Sequence, residues 1–97
     1  MRRVYKIIGI VHSGKKGERG TPVSEDKYDQ LIGCHVSFDI DKIYLGYGLT
    51  MYLKPGDHPY YDWWTMSCLQ RVDYDEEDNI LTIETLNSIY YLEDLGD

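Results

Sequence analysis

The run Ile43-Tyr44-Leu45-Gly46-Tyr47-Gly48-Leu49-Thr50-Met51-Tyr52-Leu53 constrains the fold more than any other stretch. Positions 43, 45, 47, 49, 51 and 53 are all apolar or aromatic, a strict alternation. Successive side chains of an extended chain point to opposite faces, so this set lines one face of a strand. Tyr44, Gly46, Gly48, Thr50 and Tyr52 then line the other face. A helix would scatter the same residues round its circumference. The two glycines on the second face mark a bend, a bulge, or a neighbouring backbone lying close.

Other segments share the period. Val4 to Val11 is rich in β-branched residues and is a predicted strand. Leu31 to Asp39 places Ile32, Cys34, Val36 and Phe38 inward, with Gly33, His35 and Ser37 outward. Trp64, Met66 and Cys68 continue inward along a strand reaching Tyr74. Ile80 to Thr85 follows, then a short last strand from Ile89 to Leu92.

Turn signals separate these strands: Asp39 to Lys42, Lys54-Pro55-Gly56-Asp57-His58-Pro59, the acidic Asp75 to Asn79, and Leu86-Asn87-Ser88. Segment 12–27, with Gly14, Gly17, Gly20 and Pro22, is expected to be a long flexible loop, in which Ser24 could cap one helical turn. Residues 93–97 are an expected acidic tail. No segment sustains a helical period. The expectation is one all-β domain over residues 1–97. Its form is a small, partly open β-barrel of the SH3-like size class, with about five to six antiparallel strands in a meander. A chain of 97 residues is long enough to bury one core without staples.

Formal charge is −7 and the sequence pI is near 4.8. Such a chain is repelled by phosphate backbones, which argues against nucleic acid and anionic membrane as partners. A nucleic-acid role would need Arg2, Arg3, Lys6, Lys15, Lys16 and Arg19 gathered on one side. Cys34 and Cys68 make no disulfide framework and are expected as reduced thiols. The start of the chain has no small-residue cleavage site, and no stretch nears the roughly 20 apolar residues of a spanning helix. A soluble, cytoplasmic protein is expected.

Several constellations could carry chemistry. Asp73, Asp75, Glu77, Asn79 and Glu84 match a calcium-loop register, but Asp78 stands where the sharp bend demands glycine and the flanks are strands. A solvated hairpin tip is the preferred reading. His12, His35, His58, Cys34 and Cys68 show no metal-ligand spacing, and the glycines and cations of 14–20 lack the order of a phosphate-binding loop. No nucleophile motif, cofactor motif or metal set emerges. Asp57, His58 and Asp62 could line a pocket, since a histidine between carboxylates can act as a base.

The aromatic cluster stands above this background. Tyr60, Tyr61, Trp63 and Trp64 follow a Pro-rich turn, with Tyr44 and Tyr52 on the non-core face of the long strand. Trp64 is assigned to the core, which turns Trp63 outward. Exposed Tyr and Trp supply rigid contact area at low entropic cost. The favoured function is therefore a non-enzymatic module that presents Tyr60, Tyr61, Trp63, Tyr44 and Tyr52 to a protein partner or to a second copy. The alternatives are a small ligand-binding barrel or hydrolase at Asp57, His58 and Asp62, and the basic nucleic-acid module.

Lys54-Pro55-Gly56-Asp57, Asp62-Trp63-Trp64 and Asn87-Ser88-Ile89-Tyr90 superficially resemble the G-D, W-W and S-N-Y series of eukaryotic SH3 domains. The spacings differ and the A-L-Y-D-Y opening is missing, so proline-peptide binding is not carried over. Thr65-Met66-Ser67-Cys68-Leu69-Gln70-Arg71-Val72 and Ile83-Glu84-Thr85-Leu86-Asn87-Ser88-Ile89-Tyr90 resemble a T-S-x-V and T-x-N-S-x-Y pattern of small uncharacterised bacterial β-barrel proteins, with Met66 inserted after Thr65. That resemblance implies a small barrel and no particular activity.

Overall fold

The computed structural model describes residues 2–96; Met1 and Asp97, the end of the expected acidic tail, lie outside the described residues. Among the described residues the chain forms seven strands: β1 (Arg2–His12), β2 (His35–Asp39), β3 (Thr50–Leu53), β4 (Trp63–Thr65), β5 (Leu69–Asp75), β6 (Ile80–Thr85) and β7 (Ser88–Gly96). A one-turn helix, α1 (Asp26–Asp29), precedes β2, and a 3-10 turn (Ile40–Lys42) follows it. Strand order is β4-β3-β2-β1-β7-β6-β5. Two antiparallel meanders thus meet where the first strand pairs with the last. The barrel stays partly open, with seven strands instead of the expected five or six. Segment 46–47 bridges toward the far edge, since Gly46 N–H donates to Leu69 O at 2.7 Å and Leu69 N–H to Tyr47 O at 3.0 Å.

Alternate side chains from both meanders fill the interior. Tyr5, Ile7 and Ile10 come from β1, Val36 and Phe38 from β2, Met51 and Leu53 from β3, and Leu81 and Ile83 from β6, with Leu92 from β7. Each fully buried aliphatic chain contributes about 1.5–3 kcal/mol relative to exposure. Tyr5 stacks on Phe38 with ring centroids 4.9 Å apart. β1 can serve both neighbours because register shifts between Val4 and Tyr5 and between Ile7 and Gly9 bend it.

The long central strand is shorter than its period suggests. Leu49, Met51 and Leu53 are buried, but the strand begins only at Thr50. Leu45 and Tyr47 are 62% and 70% exposed instead of facing inward. The reason lies in the two glycines. Gly46, at φ 87°, takes the left-handed conformation that glycine reaches without strain, and Tyr47 N–H closes a turn on Tyr44 O. Gly48 lies against the chain that leaves β4, where an added Cβ would stand 2.8 Å from Met66 O.

Five further expectations shift. Residues 31–33 form a turn in place of strand, so Ile32 is exposed and Leu31 takes the inward place. Cys34 is buried just ahead of β2. The strand expected over 64–74 breaks into β4 and β5, and Cys68, in the gap, is exposed instead of inward. The last strand continues through Glu93 to Gly96, held by Asp94 N–H donating to Asn79 O at 2.8 Å. α1 starts after Glu25, which offers no side-chain cap, and not after Ser24. Segment 12–27 folds back along β1: His12 N–H donates to Thr21 O and Val23 N–H to Ile10 O, burying Val23.

Replacing Gly48 with Ala is expected to destabilise the domain by about 1–3 kcal/mol, the usual cost of overpacking against a neighbour that cannot move freely. Urea unfolding monitored by tryptophan fluorescence measures it. Gly20, which has open space around it but φ 88°, gives an Ala variant strained only by its backbone for comparison.

Candidate protein-binding face

The hairpin of β3 and β4 positions the aromatic residues. Thr50 pairs with Thr65, Met51 with Trp64, and Tyr52 with Trp63. Leu53 N–H donates to Asp62 O at 2.9 Å and Met66 N–H to Leu49 O at 2.9 Å, closing the hairpin at both ends. On the inner face Met51 is buried and Trp64 is partly buried. The Trp64 indole N–H donates to Tyr90 Oη at 3.0 Å, with Tyr28 and Tyr61 edge-on to the indole at 5.1 and 5.5 Å. Burial pushes the Tyr90 phenol well above its ordinary range. Trp64 thus belongs with the core, as its alternation requires.

On the outer face the Thr50 and Thr65 hydroxyls share a hydrogen bond of 2.9 Å. Next to them stand Tyr52 and Trp63, directly opposite each other and 49% and 59% exposed. Tyr52 borders two shallow grooves. One, of about 390 Å³, is shared with Tyr44, Lys42 and Asp39. The other, of about 360 Å³, is shared with Val4, His35, Ser37 and Pro55. Tyr44, Tyr52 and Trp63 therefore line one surface. Tyr61 instead packs between Trp64 and His58, and the well-exposed Tyr60 sits edge-on to His58 at 6.2 Å.

The expected polar lining of Asp57, His58 and Asp62 does not converge on one group. His58 is buried, its Nδ1 accepts from Tyr60 N–H and Tyr61 N–H at 3.1 and 3.2 Å, and Nε2 faces Lys27 O at 3.4 Å. Two amide donors on Nδ1 require the tautomer with the proton on Nε2. This histidine clamps the 58–61 loop to the residue preceding Tyr28. Asp57 pairs with His35, which sequence reasoning had placed only on an outward face. Oδ2 accepts from His35 N–H at 2.8 Å and from its ring Nδ1 at 3.0 Å. These bonds, the backbone one foremost, hold the Asp57 carboxyl below its ordinary range. The His35 ring borders the groove shared with Tyr52. No serine, cysteine or lysine among the described residues is hydrogen-bonded to the ring.

No protein-family model, curated protein or solved structure matches the chain.

Two of the basic candidates, Arg3 and Arg19, sit in internal pairs. Arg3 reaches both oxygens of Asp94 at 3.0 and 3.2 Å, and Arg19 grips both of Glu84 at 2.7 and 2.9 Å. The Arg19 guanidinium lowers the Glu84 carboxyl. Burial of Asp94 works against ionisation, yet the Gly96 N–H and Arg3 together bring its carboxyl below the ordinary range. Lys15 and Lys16 are exposed, and Arg2's side chain lies outside what is described. The acidic segment 75–79 is a hairpin tip between β5 and β6, where Asp75 accepts from Glu77 N–H at 3.0 Å. What sequence reasoning missed is the exposure of Leu45 and Tyr47, which Gly46 and Gly48 could have signalled.

Replacing His58 with Ala is expected to cost about 1–3 kcal/mol, since two amides lose a buried acceptor. Asn, whose Oδ1 stands near the place of Nδ1, should recover most of that loss in thermal unfolding. The lowered Asp57 contributes stability that is fully present above the ordinary carboxylate value of about 3.9 and is lost as pH falls through its lower folded value. In an acid titration followed by circular dichroism, Asp57→Asn should lose less stability below pH of about 4 than the wild type.

Proposed function

We propose that this chain is a protein-binding module whose contact surface is the outer face of the β3–β4 hairpin. The observation that carries the reading is the placement of Tyr52 opposite Trp63, both half or more exposed, with Tyr44 on the same surface. Large rings left in water cost the hydrophobic gain of burying them, about 25 cal/mol per Å². Tyr and Trp are also the side chains most enriched where binding energy concentrates. The grooves flanking Tyr52 are shallow and could take neighbouring side chains of a partner. Tyr60 and Tyr61, which surround His58, lie at the side of this reading; their contacts support the loop.

The chemistry of the remaining candidates supports a binding role over a reaction. His35 is oriented by Asp57 but has no hydrogen-bonded nucleophile among the described residues. Arg3 and Arg19 face carboxylates, which leaves less cationic surface for a nucleic-acid backbone.

Trp63→Ala tests the reading. The ring is outside the core, so melting temperature should move by no more than a few degrees. A partner captured by the wild type and then purified should bind the variant more weakly by on the order of tenfold to a hundredfold in calorimetric titration. Unchanged affinity together with an unchanged mass in light scattering would remove the aromatic face from consideration.

A further inference from the structure

The two edges of the open sheet are built differently. β5 carries charge along its length, with Arg71 Nε 2.6 Å from Asp73 and Asp75 at its end. Charged residues on an edge strand discourage pairing with another chain. β4, the opposite edge, has the sequence Trp63-Trp64-Thr65 and no charge at all.

The hydrogen-bond alternation says which backbone groups this edge offers. Leu53 bonds across to Asp62 and Leu49 to Met66, so the bonded pairs of the hairpin are Leu53 with Asp62, Met51 with Trp64, and Leu49 with Met66. Trp63 and Thr65, in the intervening pairs, aim their N–H and C=O groups away from β3. Among the described residues nothing occupies those four groups. They lie beside the outward-facing Trp63 ring, within one strand spacing of any chain that paired there.

We infer that β4 accepts an added strand from another protein, an extended segment bearing Lys or Arg at alternate positions. The inference rests on the aromatic-face reading and names its partner. Charge complementarity selects the occupant. The chain carries −7, Asp62 is exposed directly before β4, and α1 brings exposed Asp26 and Asp29 on the helix whose Tyr28 packs on Trp64. Lys27, on the same helix, already faces Glu25 at 3.7 Å, while Lys42 and Lys54 border the Tyr52 grooves on the opposite face of the hairpin. Alternate side chains of the incoming strand would fall on the face of Trp64, Asp62 and α1, where cations meet these carboxylates, and the intervening apolar ones on the face of Trp63, where they pack on the indole. A second copy fits less well. Two such acidic surfaces repel, and a three-residue strand paired with itself buries far less than the roughly 1,000 Å² of a stable interface.

The probe is a capped hexapeptide of alternating Lys and Val, together with its backbone N-methylated form and an alternating Thr and Val form. In nitrogen–proton correlation spectra of the wild-type chain, the Lys–Val peptide should shift the amides of Trp63 and Thr65 and slow their hydrogen exchange. N-methylation or the Thr–Val replacement should each weaken binding at least about tenfold. Thr65→Pro, which removes an outward N–H from an edge position where proline is tolerated, should do the same with an unchanged circular dichroism spectrum. If that variant misfolds, wild-type exchange and the N-methylated peptide decide alone.

Equal binding by the N-methylated peptide overturns strand addition while leaving the aromatic face standing. Binding that survives Trp63→Ala but not N-methylation keeps the edge and removes the aromatic reading. Equal binding of the Thr–Val form overturns the cationic partner. A doubled mass without peptide, restored by Thr65→Pro, makes the occupant a second copy and overturns the proposal. So does the absence of any shift at millimolar peptide.

Discussion

The pairing of β1 with β7 is the interaction on which everything else depends. It joins a four-strand meander to a three-strand meander, and neither has a second layer against which to bury its apolar face. Joined, the two curl so that Ile7 on β1, Leu92 on β7, Ile83 on β6 and Met51 on β3 share one interior without solvent contact. The register shifts at Val4–Tyr5 and Ile7–Gly9 turn β1 from one meander toward the other. Gly9 is part of the same device, since a Cβ there would meet the Tyr91 ring at 3.4 Å. The contact also spans nearly the whole chain, so its loop-closure entropy must be overcome before the core can form.

How much of this was legible in the sequence depends on the kind of signal. Strict alternation identified the faces of β2 and β3 correctly, because Val36 and Phe38, and Met51 and Leu53, all point inward. The same period misled at Leu45 and Tyr47. Alternation reports which residues could share a strand face and says nothing about where the backbone leaves the sheet. Gly46 decides that, through a positive φ that only the folded turn requires. The extent of β7 was hidden for another reason. Glu93 and Asp94 look like a solvated tail until Arg3, distant in sequence, supplies the countercharge.

The candidate site divides in the same way. An outward Trp63 followed from assigning Trp64 to the core, and its partnership with Tyr52 needed only the hairpin register. His58 and His35 exchanged roles because hydrogen-bond partners are not periodic. His58 is spent on two loop amides, while Asp57, brought round by the turn at Gly56 (φ 87°), reaches back to His35. Adjacency in sequence had joined Asp57 to His58; the turn sends their side chains to different partners.

The distribution of charge gives the asymmetry of the sheet its meaning. Seventeen carboxylates against ten Lys and Arg leave a surplus over the whole surface, yet the hairpin strands Thr50–Leu53 and Trp63–Thr65 contain none of either sign. A uniformly solvated surface would not leave its uncharged stretch on one edge of the sheet while the other edge carries charge along its length. β5 shows that the chain can protect an edge with charge, and the conformational cost of doing the same on β4 would be small. The brevity of β4 is itself a restraint, since three residues offer too few hydrogen bonds for indiscriminate sheet growth. A short, uncharged, aromatic edge set in an acidic surround admits a strand only when side chains of opposite charge and an apolar contact on Trp63 add to the backbone bonds. Selectivity would then reside in the surround and the ring, while the backbone supplies the geometry.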